Sequence, residues 1–123
     1  MNNLVLAYLG DAVYELYIRE YLIENGFAKV NNLQKEAIKY VSAVSQRNIL
    51  EKLENDSFFS EEEQTIINRG RNASSHRSKS TDIITYKKST GLECLIGHLY
   101  LNDKDRLEEL MKEILGGKCE SNR

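Results

Sequence analysis

The sequence predicts an all-α protein of one domain. Three observations carry that prediction. No proline occurs among the 123 residues, so the residue that most strongly interrupts helices is absent. Apolar residues recur at three- and four-residue spacing, as in Leu92, Leu95, Ile96 and Leu99, and no segment alternates over the length of a useful strand. Capping residues and glycine stops punctuate these runs. A chain of this length forms one domain and buries roughly two thirds of its unfolded surface, so it needs no covalent staples.

The first helix runs from about Asn2 to Asn25, with Leu9, Ala12, Val13, Leu16 and Tyr17 on one face. Gly26 is its left-handed stop. Phe27 to Asn31 connect to a second helix, Leu33 to about Val41, capped by Asn32 and carrying Leu33, Ala37, Ile38 and Val41 at a 3.6 period. Ser42 or Ser45 caps a third helix ending near Glu54, and Asn55 to Phe59 form a loop whose two aromatics plug the core. Ser60 and Glu63 have the spacing of a capping box. That box opens a fourth helix bearing Ile66 and Ile67. From Ser74 to Thr81 no residue is apolar enough to order the chain by burial, which predicts a mobile, basic, hydroxyl-rich loop. A fifth helix spans roughly Asp82 or Tyr86 to Leu101. Asn102 or Asp103 caps a last one, about Lys104 to Leu115, stopped by Gly116 and Gly117. The domain is thus residues 1–117, and 118–123 form a disordered tail.

Composition narrows the function classes. Cys94 sits in an apolar run and Cys119 in a polar one; two cysteines so far apart, with no neighbouring histidine, give no zinc pattern and suit a reducing cytoplasm. No window approaches a membrane span, and the N-terminus has no signal-peptide pattern, so the expectation is a soluble cytoplasmic protein with no membrane partner. The net charge is only −2, but Arg69, Arg71, Arg77, Lys79, Lys87 and Lys88 face the single acid Asp82 within residues 69–88. An acidic protein with one concentrated basic segment points to a localised polyanion site.

Two carboxylates stand where apolar residues are expected. Asp11 follows Gly10 inside the first helix, and Glu93 lies within Gly91-Leu92-Glu93-Cys94-Leu95-Ile96-Gly97. A carboxylate is costly to desolvate unless it is paired or holds a metal. Glu15 and Arg19 follow Asp11 at one-turn intervals, so an ion-paired stripe facing water is the plain alternative. Acids that hold a divalent metal, beside basic groups that hold phosphates, are what phosphodiester hydrolysis requires. No phosphate-binding glycine loop, dinucleotide fingerprint or nucleophile elbow is present. Spacing alone leaves open whether Asp11 and Glu93 meet.

Tyr8-Leu9-Gly10-Asp11-Ala12-Val13 resembles the signature of the ribonuclease III catalytic domain. Arg69-Gly70-Arg71-Asn72-Ala73, Thr81-Asp82, Thr85-Tyr86 and Ser89 to Gly97 are similar to its compact Mini-III branch, as are Asn25-Gly26-Phe27 and Val41 to Gln46. The resemblance covers about Leu4 to Leu115. It implies a homodimeric, Mg²⁺-dependent endoribonuclease of double-stranded RNA on a helical bundle, maturing the large-subunit (23S) ribosomal RNA precursor. Whether a ribosomal protein takes part stays open.

Carried over by position, the signature aspartate is Asp11 and the distal glutamate Glu93, the implied catalytic and metal-binding pair. The two other family acids fall on Ala7 and Thr90, which thins the acid shell from four carboxylates to two. A single Mg²⁺ completed by waters fits that shell better than two. Glu15 is a candidate supplement. With no appended RNA-binding domain, Arg69, Arg71, Arg77, Lys79, Lys87 and Lys88 are the expected RNA contacts, aided by loop hydroxyls that meet the sugar 2′-hydroxyls. One rival is a non-catalytic double-stranded-RNA-binding protein on the same fold, suggested by the missing acids. The other is a helix-turn-helix DNA-binding protein, disfavoured because the positive charge lies in a serine-rich loop.

Overall fold

The computed structural model describes residues 1–74 and 82–120. Six helices follow in order: α1 (Asn3–Glu24), α2 (Val30–Val41), α3 (Ala43–Asn55), α4 (Glu61–Ala73), α5 (Ile83–Asn102) and α6 (Lys104–Glu120), with no strand among the described residues. Helix α5 is the axis of the bundle, with α1, α3, α4 and α6 all packed against it. Its buried set, from Thr85 through Ser89, Leu92, Cys94, Leu95 and Ile96 to Leu99, runs round the whole helix, as a helix enclosed by neighbours must.

Local chemistry explains most boundaries. Asn2 caps α1 by accepting from the Leu4 amide at 2.7 Å, and Gly26 closes it at φ +91°. Ser42 caps α3 and Asp82 caps α5, each accepting from the amide three residues on. The Ser60–Glu63 capping box is present in both directions. Phe58 and Phe59 pack edge-on at 5.5 Å against the core. Arg106 of α6 then clamps that corner, donating to both Glu63 oxygens at 2.7 and 2.9 Å and to the Phe58 carbonyl at 2.8 Å.

Three expectations change. Helix α2 starts at Val30, because the Leu33 amide already bonds the Lys29 carbonyl at 2.9 Å; Asn32 therefore lies inside the helix. Helix α6 continues past Gly116 and Gly117 to Glu120. Glycine costs a helix about 1 kcal/mol against alanine but does not stop it. The expected tail from residue 118 is helical to Glu120, and the rest of it lies outside the described residues. The third change is the buried face of α1. Leu6, Ala7, Gly10, Val13, Tyr14, Ile18 and Leu22 face the core, whereas Leu16 is 55% exposed. The helix is apolar on two sides: Val5, Tyr8, Leu16 and Ile23 form a second, exposed stripe. Periodicity alone cannot say which stripe turns inward.

Candidate active site

The site is made by two glycines at one helix crossing. A Cβ on Gly10 would lie 1.8 Å from the Glu93 carbonyl oxygen, and one on Gly97 would lie 2.1 Å from the Leu6 carbonyl oxygen. Only glycine at both positions lets the backbones of α1 and α5 touch. That contact brings Asp11, the next residue after Gly10, beside Glu93. The two carboxyls lie close enough for the Asp11 charge to act on Glu93. Residues 82 positions apart in sequence therefore form one pair.

Their environments differ. Asp11 is exposed at the helix surface, while Glu93 is partly buried. Burial, then the facing Asp11 carboxylate, push the Glu93 carboxyl up from 4.5 to about 8, against a smaller opposing effect from the Gln46 amide. Among the described residues no lysine or arginine forms an ion pair with either acid. Two facing, uncompensated carboxylates supply hard oxygen donors and an excess of negative charge, which suits a divalent cation such as Mg²⁺. Among the described residues no group of three or more His, Cys, Asp or Glu side chains gathers to hold a metal. Protein ligation is therefore sparse, and water would complete the coordination.

The positions where the family pattern would place further acids serve other ends. Ala7 is buried in the core at 6% exposure. The Thr90 hydroxyl bonds the Tyr86 carbonyl at 3.0 Å and meets the buried Ser74 hydroxyl at 3.4 Å, tying the end of α4 to α5. Glu15 pairs with Arg19 at 3.0 Å, so it takes the ordinary ion pair rather than joining Asp11 and Glu93. Tyr14, fully buried behind the site, donates to the Tyr40 carbonyl at 2.8 Å. Burial holds its phenol far above the ordinary range. Burial likewise raises the Cys94 thiol, which suits an inert core residue.

The basic residues do not form one uniform strip. Arg71 packs its stem over Gly91. Lys88 pairs with Glu51, and Arg71 and Arg47 act on that same carboxylate, which is held below its usual range mainly by Lys88. Lys87 lies half-buried one residue before. Arg69 is exposed and lines a cleft of about 580 Å³ with Asn3, Glu62, His98 and Asn102, a cleft that includes neither carboxylate. Arg77 and Lys79 lie outside the described residues.

Two residues of α3, one beside Glu93 and one beside the start of α5, carry no role in the reading of the sequence. Arg47 donates to the Thr85 hydroxyl at 2.9 Å beside the start of α5. Gln46 donates to Glu93 Oε2 at 3.4 Å. A signal for Gln46 existed: it sits one turn before Leu50 and two before Leu53, on the buried side of α3, where an apolar residue is expected.

A model of the ribonuclease III domain matches residues 4–104. A Mini-ribonuclease 3 of Enterococcus faecalis is 46% identical over 113 residues, spanning 90% of this chain and 86% of that protein. One of Staphylococcus aureus is 46% identical over 94% of this chain and 87% of its own length. One of Streptococcus pneumoniae is 42% identical over 90% and 88%. A crystal structure of a Fusobacterium nucleatum protein matches with a TM-score of 0.84 at 32% identity, covering 96% of this chain and 94% of that one. The matched span takes in Asp11, Glu93, Gly10 and Gly97, and on these grounds the chain belongs to the ribonuclease III domain family.

Proposed function

We propose that this endoribonuclease cuts double-stranded RNA with Mg²⁺ held between Asp11 and Glu93, and that its substrate is the large-subunit (23S) ribosomal RNA precursor in the cytoplasm. The observation that carries the reading is the uncompensated carboxylate pair at the Gly10–Gly97 crossing. Asp11 and Glu93 would hold the ion, which would supply charge neutralisation of the scissile phosphate and a lowered pKa of the attacking water. Asp11, at the surface, orients that water on the side where RNA approaches. Glu93, anchored from within, forms the inner wall of the site. Arg71, Arg77, Lys79 and Lys87 hold backbone phosphates and carry no sequence information by doing so. Lys88 adds to these contacts by exchanging Glu51 for a phosphate, and Arg69 holds the backbone from its separate cleft.

A homodimer completes the proposal. The stripe of Val5, Tyr8, Leu16 and Ile23 leaves large apolar side chains exposed along α1 beside Asp11. Pairing two copies through it buries that stripe and offers a two-fold arrangement to the pseudo-two-fold RNA duplex. Two sites, one per strand, then make a staggered cut. Among the described residues no helix is long and apolar enough to cross a membrane.

The test is Asp11→Asn. It should abolish cleavage of a duplex RNA while leaving the fold and RNA affinity close to parental. A variant that cuts at the parental rate removes Asp11 from the mechanism. The thin acid shell supports a second reading, an RNA-binding protein that does not cut. That reading predicts salt-sensitive duplex binding with no cleavage under any divalent metal.

A further inference from the structure

Gln46 is buried beside Glu93, at 1% exposure. Its amide meets three groups on two other helices. It accepts from the Ser89 hydroxyl of α5 at 2.5 Å, donates to the Val41 carbonyl at the end of α2 at 3.3 Å, and donates to Glu93 Oε2 at 3.4 Å. The amide orientation follows from those neighbours. The Val41 carbonyl and the Glu93 carboxylate are both acceptors, so the nitrogen faces them and the oxygen faces the Ser89 hydroxyl, the donor among its described neighbours. Val41 also contributes one of the carbonyls that a helix end leaves without an intrahelical partner, and this pins the glutamine from the side opposite Ser89.

We propose that Gln46 is a positioning residue: held by Ser89 and by the Val41 carbonyl, its amide fixes the Glu93 carboxylate against Asp11 and thereby sets the affinity of the pair for a divalent cation. The inference rests on the metal-dependent reading above. With only two carboxylates, each has to be placed well, and Glu93 is a long side chain whose charge Asp11 repels. A donor on Oε2 removes that freedom. Hydrogen bonds behind metal ligands orient them in this way, and their loss typically weakens metal binding by about 10–100-fold.

The experiment measures Mn²⁺ binding to the full-length, RNA-free protein by electron paramagnetic resonance, with folding followed by circular dichroism. Gln46→Met keeps the length of the side chain and cannot donate. Ser89→Ala keeps Gln46 and releases its amide. Mn²⁺ affinity should fall about 10–100-fold in Gln46→Met, and by a smaller factor in Ser89→Ala. In both, excess Mn²⁺ should restore kcat on duplex RNA with KM for the RNA unchanged. A purely structural glutamine would lower the urea midpoint and leave Mn²⁺ affinity parental, which overturns the proposal. If Gln46→Met does not fold, parental affinity in Ser89→Ala overturns it alone. A parent that binds no Mn²⁺ and cuts no RNA defeats the functional reading itself, a result distinct from a parent and variants that bind equally well.

Discussion

Glu93→Gln should stabilise this protein in the absence of metal, although it removes a residue of the proposed active site. Burial and the Asp11 carboxylate hold the Glu93 carboxyl at about 8 in the fold, against 4.5 for the ordinary group. The folded chain therefore binds a proton that the unfolded chain has lost, and the cost grows as pH rises from 4.5 and levels off above about 8. At 1.36 kcal/mol per pH unit, folding at pH 7 carries a penalty of ~3 kcal/mol. Glu93 is only partly buried, so solvent screening reduces this to about 1–3 kcal/mol. Glutamine has nearly the shape of the protonated acid and carries no charge, so it escapes the penalty. Urea unfolding in a chelator should give equal midpoints near pH 4.5, a higher midpoint for Glu93→Gln at pH 7, and the widest gap near pH 9. Added Mg²⁺ should raise the parent and not the variant, because only the parent gains binding energy from it. Equal stability at pH 7 without metal would refute the reasoning, since it would mean that neither burial nor the Asp11 carboxylate burdens Glu93.

Gly97→Ala places a methyl group 2.1 Å from the Leu6 carbonyl oxygen. Separating α1 from α5 should cost at least the ~1–3 kcal/mol typical of overpacking and weaken metal binding with it, read as paired losses in urea midpoint and Mn²⁺ affinity. Arg106→Ala should cost about 2 kcal/mol by removing the clamp on Glu63 and Phe58. Arg106 holds the Glu63 carboxyl below its usual value; that contribution is present above about pH 4.5 and is lost as pH falls through the lowered value. The gap between parent and Arg106→Ala should therefore narrow in acid, and a pH-independent gap would contradict the assignment. Arg71→Ala with Lys87→Ala should weaken duplex RNA binding and flatten its salt dependence by about one unit of slope per lost phosphate contact; an unchanged slope would place the RNA elsewhere.

The caps at Ser42 and at Ser60 with Glu63 are readable in the sequence because they are local chemistry that needs only its own turn. Helix α5 is readable because its apolar run is nearly continuous. The face of α1 is not, because the helix is apolar on two sides and the second stripe remains exposed in a single chain. The pairing of Asp11 with Glu93 is a long-range fact. Gly10 and Gly97 mark it, but a glycine in a helix announces close approach without naming its partner. Gln46 escaped assignment for the same reason: its partners Ser89 and Glu93 lie more than 40 positions away. The end of α6 is not legible either, because Gly116 and Gly117 weaken a helix without ending it.

The most direct test of the central claim is cleavage of a ribosomal-precursor-like RNA duplex during Mg²⁺ titration, by the parent, Asp11→Asn and Glu93→Gln. The account predicts staggered cuts that appear with Mg²⁺ in the parent and vanish in both variants while RNA binding persists. Metal-independent cutting, or cutting that survives both substitutions, would contradict it.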